Sequence, residues 1–192
     1  MFKKYYLLIP LLMLLISVNI VVFDSDFYLS SESEVDFYEE EVDNLLSYFK
    51  GGDLDEERYS GEEVIHLKDV KNLIWLSLAL ALILFLLLSY FEGTFSWKKR
   101  RDFFLYGGIL NFLSLLLLTI ILSSFEFFFR IFHEILFWND YWLLPLDSTL
   151  IQMFPENFFI GAVVRIVLYM GIFSISFVTI SLIFRWKANE KS

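Results

Sequence analysis

The chain has 192 residues, 57% of them hydrophobic, no cysteine and a formal net charge of −9. The missing cysteines exclude disulfides, a thiol nucleophile and thiolate metal sites. The acidic balance excludes the basic footprint of a nucleic-acid binder. Four long apolar runs exclude an ordinary soluble domain, because a helix rising 1.5 Å per residue crosses a ~30 Å hydrocarbon core in about 20 residues.

The first run, 5–23, follows Lys3 and Lys4. It is longer than the apolar part of a usual secretory signal, no A-x-A-like site follows, and Asp24, Ser25 and Asp26 come next. It is therefore read as a retained span, with Pro10 tolerated through satisfaction of freed backbone groups by neighbouring helices. The segment 24–72 holds sixteen acids against four bases. A cation-binding surface and a solvated outer face both fit that charge, and the solvated face is the simpler reading. Within it, 27–41 alternates loosely around Phe27, Tyr28, Phe37 and Tyr38, and either a strand or a helical turn fits. Residues 42–49 read as a short amphipathic helix, since Val42, Leu45, Leu46 and Phe49 share a face. Gly51-Gly52 stops it. Ser60 or Gly61 can cap the next helix, which opens with Glu62 and Glu63, carries His66 and Asp69, and runs into the second span, 73–91.

A short loop, 92–102, contains Lys98, Lys99, Arg100 and Arg101, and the third span is 103–125. The segment 126–157 reads as an extension of that third helix, with Glu126, Arg130 and Glu134 recurring every four residues and His133 beside them. A turn is expected at Asn139-Asp140. Residues 142–145 should be irregular, because proline disfavours helix in the residue before it. Pro155 suits the first position of the fourth helix, whose span is 158–184. Nine of the fifteen basic residues lie before the first span, between the second and third, or after the fourth. The positive-inside rule makes that side cytoplasmic, with both termini inside and the segments 24–72 and 126–157 extracytoplasmic. The expectation is one all-α membrane domain, 1–192, of four transmembrane helices with a small extracytoplasmic cap.

The only histidines, His66 and His133, both fall near the same membrane interface. Histidine suits proton transfer near neutral pH, although two unrelated interfacial histidines would look the same. Asp69 follows His66 by three residues and Glu63 precedes it by three. Either can orient the imidazole, and either can be a plain acid at a helix start. Arg165 is the sole charge inside a span, where burial is costly. It reads either as a functional group reaching toward the histidine layer or as half of a structural ion pair. The aromatics around 127–142 form an interfacial belt or an acyl-chain chamber, and the two readings are compatible.

Specific motifs lie on this frame. Glu63-x-x-His66-x-x-Asp69-Val70-Lys71 precedes the second span. Phe132-His133-x-x-x-Phe137-x-Asn139-Asp140-x-Trp142 follows the third. Leu150-Ile151, Pro155-x-x-Phe158-Phe159 and Asn44-Leu45-Leu46-x-Tyr48 complete the pattern. Together they resemble the lipoprotein intramolecular transacylase family of Gram-positive bacteria, across all four spans and both outer segments. One departure is the run Trp142-Leu143-Leu144-Pro145-Leu146-Asp147, about one residue shorter than the family pattern, which leaves Asp147 without an assigned role.

The resemblance implies a substrate: a membrane-held diacylated lipoprotein whose N-terminal cysteine carries a diacylglyceryl thioether and a free α-amine. The implied reaction moves the sn-2 acyl chain onto that amine and leaves a lyso-form lipoprotein. No acyl-enzyme is needed, consistent with the lack of cysteine and of a G-x-S-x-G elbow. On this reading His66, oriented by Asp69 or Glu63, takes the amine proton. His133 protonates the departing glycerol oxygen or stabilises the oxyanion, and the two roles can be exchanged. Asn139 and Arg165 are candidate carbonyl or oxyanion donors. Asn44, Tyr48, Phe132, Phe137, Trp142 and Phe158 would line the substrate chamber. No metal or other cofactor is expected, and the oligomeric state is left open. The competing readings are a non-catalytic accessory or sensor protein, which predicts dispensable histidines, and a metal-dependent hydrolase, which lacks an H-E-x-x-H pair here.

Overall fold

The computed structural model describes residues 5–31 and 37–190. Lys3, Lys4 and Lys191, and the middle of the 27–41 stretch, lie outside the described residues. Among the described residues the chain is helical with no strand. Four helices are long and apolar enough to cross a membrane: Tyr5–Val22, Gly61–Gly93, Trp97–Ile120 and Glu156–Asn189. The chain divides into two compact units, one of Met1–Asn19, Ser77–Ile120 and Val164–Ser192, the other of Ile20–Leu76 and Ile121–Val163.

The first unit contains most of α1 (Ile9–Val22), the later turns of α4 (Gly61–Gly93), most of α5 (Trp97–Ser123) and most of α8 (Glu156–Glu190). Pro10 sits in the first turn of α1, directly after a 3-10 turn over Tyr5–Leu8. Proline is accommodated there by its position near the helix start. Ile9, Leu12, Met13, Leu84, Leu88 and Phe103 form the buried core, while Leu82, Ile83, Phe85, Leu116, Leu117 and Ile175 face outward. Apolar residues on both faces are what a lipid-solvated helix requires. Several polar side chains of this unit are buried and bonded to helix backbone, among them Ser17, Asn19 and Ser174. Asn111 donates to the Met170 carbonyl at 2.8 Å and to Ser174 Oγ at 2.9 Å, tying α5 to α8. Gly108 allows that approach, because a Cβ there would stand 3.1 Å from the Ser174 carbonyl oxygen.

The second unit holds the remaining elements. Asp24 caps α2 (Ser25–Leu29), its Oδ1 accepting from the Phe27 N–H at 3.1 Å. The stretch that fits either strand or helix is therefore helical at its described start. It is helical at its end too, because α3 spans Tyr38–Phe49. Val42, Leu45, Leu46 and Phe49 are buried on one face of α3, as their spacing requires. The Tyr38 hydroxyl donates to the Tyr28 carbonyl at 2.9 Å and pins α3 to α2. Gly51, at φ +112°, ends α3 in the left-handed region that favours glycine, and the Gly52 N–H returns to the Ser47 carbonyl at 3.0 Å.

The third long helix does not continue into the next segment. It ends at Ser123, and after Ser124 a separate amphipathic helix, α6 (Phe125–Leu136), begins. The periodic run of Glu126, Arg130 and Glu134 is helical as read, but on its own element. Residues 142–145 are irregular. A short helix not anticipated, α7 (Thr149–Met153), follows, with Ser148 Oγ accepting from the Ile151 N–H at 3.4 Å as its cap. Pro155 stands immediately before α8 rather than as its first residue.

Candidate active site

Both histidines belong to the second unit. His66 lies on the second turn of α4, whose start is fixed by a reciprocal cap. The Glu63 N–H donates to Ser60 Oγ at 3.3 Å, and the Ser60 N–H donates to Glu63 Oε2 at 2.7 Å. This is a capping box, and it identifies Ser60 as the cap. The other oxygen, Glu63 Oε1, accepts the Leu150 N–H at 2.8 Å. Glu63 is only 2% exposed. Both of its oxygens thus serve backbone N–H groups, one at each of two chain segments. Glu63 fixes where α4 and α7 meet, and no bond from it orients the imidazole.

His133 lies on the last turns of α6 and is 7% exposed. Its Nδ1–H donates to the Phe129 carbonyl one turn earlier, at 2.7 Å. A carbonyl only accepts, so Nδ1 carries the proton and a neutral His133 presents the lone pair of Nε2. Burial holds the imidazole below its ordinary range, and the Phe129 carbonyl opposes that shift without overcoming it.

The two imidazoles stand with centroids 6.0 Å apart and planes 33° apart. Aromatic rings enclose the pair. Phe137 contacts both, at 5.1 Å from His66 and 5.4 Å from His133. Phe129 at 4.2 Å, Trp142 at 4.9 Å and Phe132 at 5.3 Å complete the shell around His133. In such apolar surroundings two neighbouring imidazolium charges would repel strongly, so at most one ring is readily charged. Nδ1 of His66 is buried and has no hydrogen-bond partner. An orphaned buried N–H is rarer than an under-satisfied acceptor, so this environment favours the tautomer with its proton on Nε2.

Asp69 does not bond the buried Nδ1 of His66. Its Oδ2 instead accepts from Asn139 Nδ2 at 2.8 Å, and Asn139 Oδ1 accepts the Tyr141 N–H at 3.1 Å. This pair joins α4 to the turn after α6 and so holds the two imidazoles in register. Asn44 braces a turn, with Oδ1 accepting the Asp55 N–H at 3.0 Å. Tyr48 offers its ring to Lys71, whose Nζ lies 3.8 Å from the centroid and donates to the Gly52 carbonyl at 3.2 Å. Neither Asn44 nor Tyr48 touches an imidazole. Phe158 packs on Phe27 at 4.8 Å, Tyr28 at 5.2 Å and Phe154 at 4.8 Å. That cluster meets the histidine shell through Phe159, 5.1 Å from Phe129. Arg165 lies half-buried on α8 in the other unit.

Sequence reasoning passed over Phe129, whose carbonyl sets the His133 tautomer. Its position four residues before a helical histidine was the available signal. It also passed over a buried polar centre that closes the second unit. Glu41, 3% exposed, takes Arg58 Nη1 at 2.6 Å and the Tyr59 hydroxyl at 2.9 Å. No periodicity marks those partners, because they are 17 and 18 residues away. Among the described residues no three His, Asp or Glu side chains converge in a way that could hold a metal ion.

The family model described as lipoprotein intramolecular transacylase Lit matches residues 4–159. A protein of Aquifex aeolicus, described as uncharacterized, is 28% identical over 118 residues, which is 61% of this chain and 53% of that protein. The match thus spans about half the length of that relative. The in meso structure of the membrane integral lipoprotein intramolecular transacylase Lit from Bacillus cereus superposes with a TM-score of 0.74 at 25% identity, covering 97% of this chain and 94% of the other. Two further structures of that protein carry one histidine changed to arginine or to alanine. The arginine variant gives a TM-score of 0.69 at 24% identity, covering 98% of this chain and 92% of the other. The alanine variant gives 0.69 at 25% identity, covering 97% and 92%.

Proposed function

The chain belongs to the lipoprotein intramolecular transacylase family, and from that premise we propose that this multi-pass membrane protein moves the sn-2 acyl chain of a diacylglyceryl lipoprotein onto the α-amine of that molecule's own N-terminal cysteine. The observation that carries the mechanism is the pair of enclosed imidazoles, 6.0 Å apart, with unlike surroundings at Nδ1.

The amine and the ester reside in one flexible molecule, so holding them together removes much of the barrier. Effective-molarity arguments put that contribution at about 7–11 kcal/mol in the best cases. The neutral amine attacks the ester carbonyl, forming the C–N bond and leaving an ammonium and an oxyanion. His133 Nε2 accepts the ammonium proton. The Phe129 carbonyl stabilises the resulting imidazolium through Nδ1–H. His133 then delivers the same proton to the glycerol oxygen as the C–O bond breaks. His66 stays neutral and donates Nε2–H to the oxyanion, a role suited to an uncharged imidazole. One proton passes from nitrogen to oxygen, no water is consumed, and no acyl-enzyme forms. These tautomers favour the exchanged assignment of roles, with His133 as base and His66 as oxyanion donor. Asn139 uses one amide N–H on Asp69. That bond supports a positioning role.

The basic residues Lys98, Lys99, Arg100, Arg101, Arg185 and Lys187 support a cytoplasmic placement of the two ends they flank, with the histidines on the opposite side. The reaction is tested by expressing wild type, His66→Ala and His133→Ala in a strain that makes only diacylated lipoproteins, with mass spectrometry of the lipopeptides. Wild type should give the N-acyl, lyso product, and both variants should lose it by two or more orders of magnitude. Product at the wild-type rate from either variant overturns the two-histidine mechanism. No product from wild type overturns the function.

A further inference from the structure

A lipoprotein is not only lipid: a polypeptide leaves the reacting cysteine and must pass out of the site. We propose that it leaves along a cleft at the start of α4, and that Glu62 and Asp147 in this cleft select against acidic residues just after the cysteine. The inference rests on the transacylase reading given above.

The cleft has a volume of ≈ 540 Å³. Arg58, Glu62 and Ile65 line one wall, and Pro145, Asp147 and Thr149 line the other. It lies on the opening turns of α4, the turns that also carry His66. Ile65 precedes His66 in the chain, and Glu62 stands one helical turn before His66 on the same face. The walls are held at fixed spacing by bonds between segments far apart in sequence. Thr149 Oγ1 donates to the Arg58 carbonyl at 2.7 Å, and Glu63 joins Ser60 to Leu150 as described. A cleft built in advance costs a bound chain little further ordering. Charged and hydroxyl-bearing residues recur along it, with Ile65 and Pro145 between them, whereas rings alone surround His133, so the cleft suits a peptide with mixed side chains.

The charge of the cleft sets its preference. Arg58 is already committed, to Glu41 at 2.6 Å, to Glu40 at 3.7 Å and over the Phe37 ring at 4.6 Å. Glu62 and Asp147 are exposed, and no ion pair engages either among the described residues. The open charge in the cleft is therefore negative. A peptide with lysine there gains attraction, and one with aspartate meets repulsion.

The test uses three synthetic diacylated lipopeptides that differ only at the three residues after the cysteine: all serine, all lysine or all aspartate. Full-length protein in a neutral detergent converts them at low salt. The expected order of kcat/KM is lysine, serine, aspartate, with about three- to five-fold between the extremes for each acid that acts. Glu62→Lys and Asp147→Lys, made separately, should each narrow or reverse that order, and 0.5 M salt should compress it. Equal kcat/KM for all three peptides overturns the inference and leaves the transacylase reading standing. So does an order that both charge-reversal variants retain. Failure of wild type to convert any of the three overturns the parent reading, and this one with it.

Discussion

At the scale of residues, the site depends on what surrounds two otherwise ordinary imidazoles. Burial keeps His133 neutral at pH values where free imidazole, with its ordinary pKa of about 6.5, is already protonated. Two consequences follow from that direction. As pH falls, protonation of the substrate's α-amine, with its ordinary pKa of about 8, lowers kcat/KM first, and protonation of His133 should steepen that limb only below pH 6.5. A steepening at or above 6.5 would remove His133 as the base. The linkage has the same sign. Between the lowered folded value and 6.5 the unfolded chain binds the proton more readily, so this group's contribution to stability is complete above 6.5 and declines on acidification through that window. His66, its centroid 6.0 Å away, stays neutral while His133 titrates, so His66→Gln should reduce the rate and leave that steepening in place. Asp69→Asn belongs to this scale too. It removes the charge from the bond to Asn139 and should lower kcat/KM by about ten-fold through lost register, while leaving the acid limb in place.

The chemistry of single residues was legible in the sequence only as far as residue type and spacing reach. His66 and His133 could be named because they are the only histidines and sit in specific motifs. Phe132, Phe137 and Trp142 were foreseen beside them and do pack there. The partners were not legible. Asp69 stands three residues from His66, which made it an apparent orienting group, yet its bond goes 70 residues away to Asn139. Helical spacing reports which side chains share a face. It carries no information about what another segment brings to that face.

At the scale of elements, the start of α4 is the most instructive. Ser60 or Gly61 reads as the cap from sequence alone, with Glu62 and Glu63 suited to the helix start, but the bonds of Glu63 to Ser60 and to the Leu150 N–H need the fold. Glu63→Ala removes acceptors from two backbone N–H groups and opens a buried space. The expected loss is about 2–4 kcal/mol, read as a lower Tm of the purified protein. Glu63→Gln keeps one acceptor oxygen and should lose about half as much. If Glu63→Ala melts with wild type, the bridge between α4 and α7 carries no stability. The end of α5 teaches the opposite lesson. The stretch from 103 to 137, without a proline and without a glycine after Gly108, looked like one helix, and Ser123-Ser124 marks the break. Two serines are a weak stop signal. The register of α6, which aims His133 at His66, could not be read before the break was known.

At the scale of the whole molecule, hydropathy alone located the four long helices, because a hydrocarbon solvent imposes an unmistakable length and composition. The proposed orientation makes a direct prediction. Native cysteine is absent, so a single introduced thiol reports its side without interference. In intact cells an impermeant maleimide should label Ser148→Cys and leave Ser96→Cys unlabelled until the membrane is opened. The reverse pattern would put the histidines in the cytoplasm and contradict the positive-inside assignment.

The second unit is assembled from two stretches of chain, Ile20–Leu76 and Ile121–Val163, with two spans synthesised between them. Seen from the ribosome, this imposes an order of events. When the first stretch emerges it bears His66, but the residues that pair with Asp69 and Glu63 are not yet made. Closure waits until the second stretch has been made. A nascent chain interrupted anywhere before α6 therefore holds one of the two imidazoles on which the proposed mechanism depends. Catalytic competence becomes a late checkpoint of biosynthesis, reached only after most of the protein is already in the membrane.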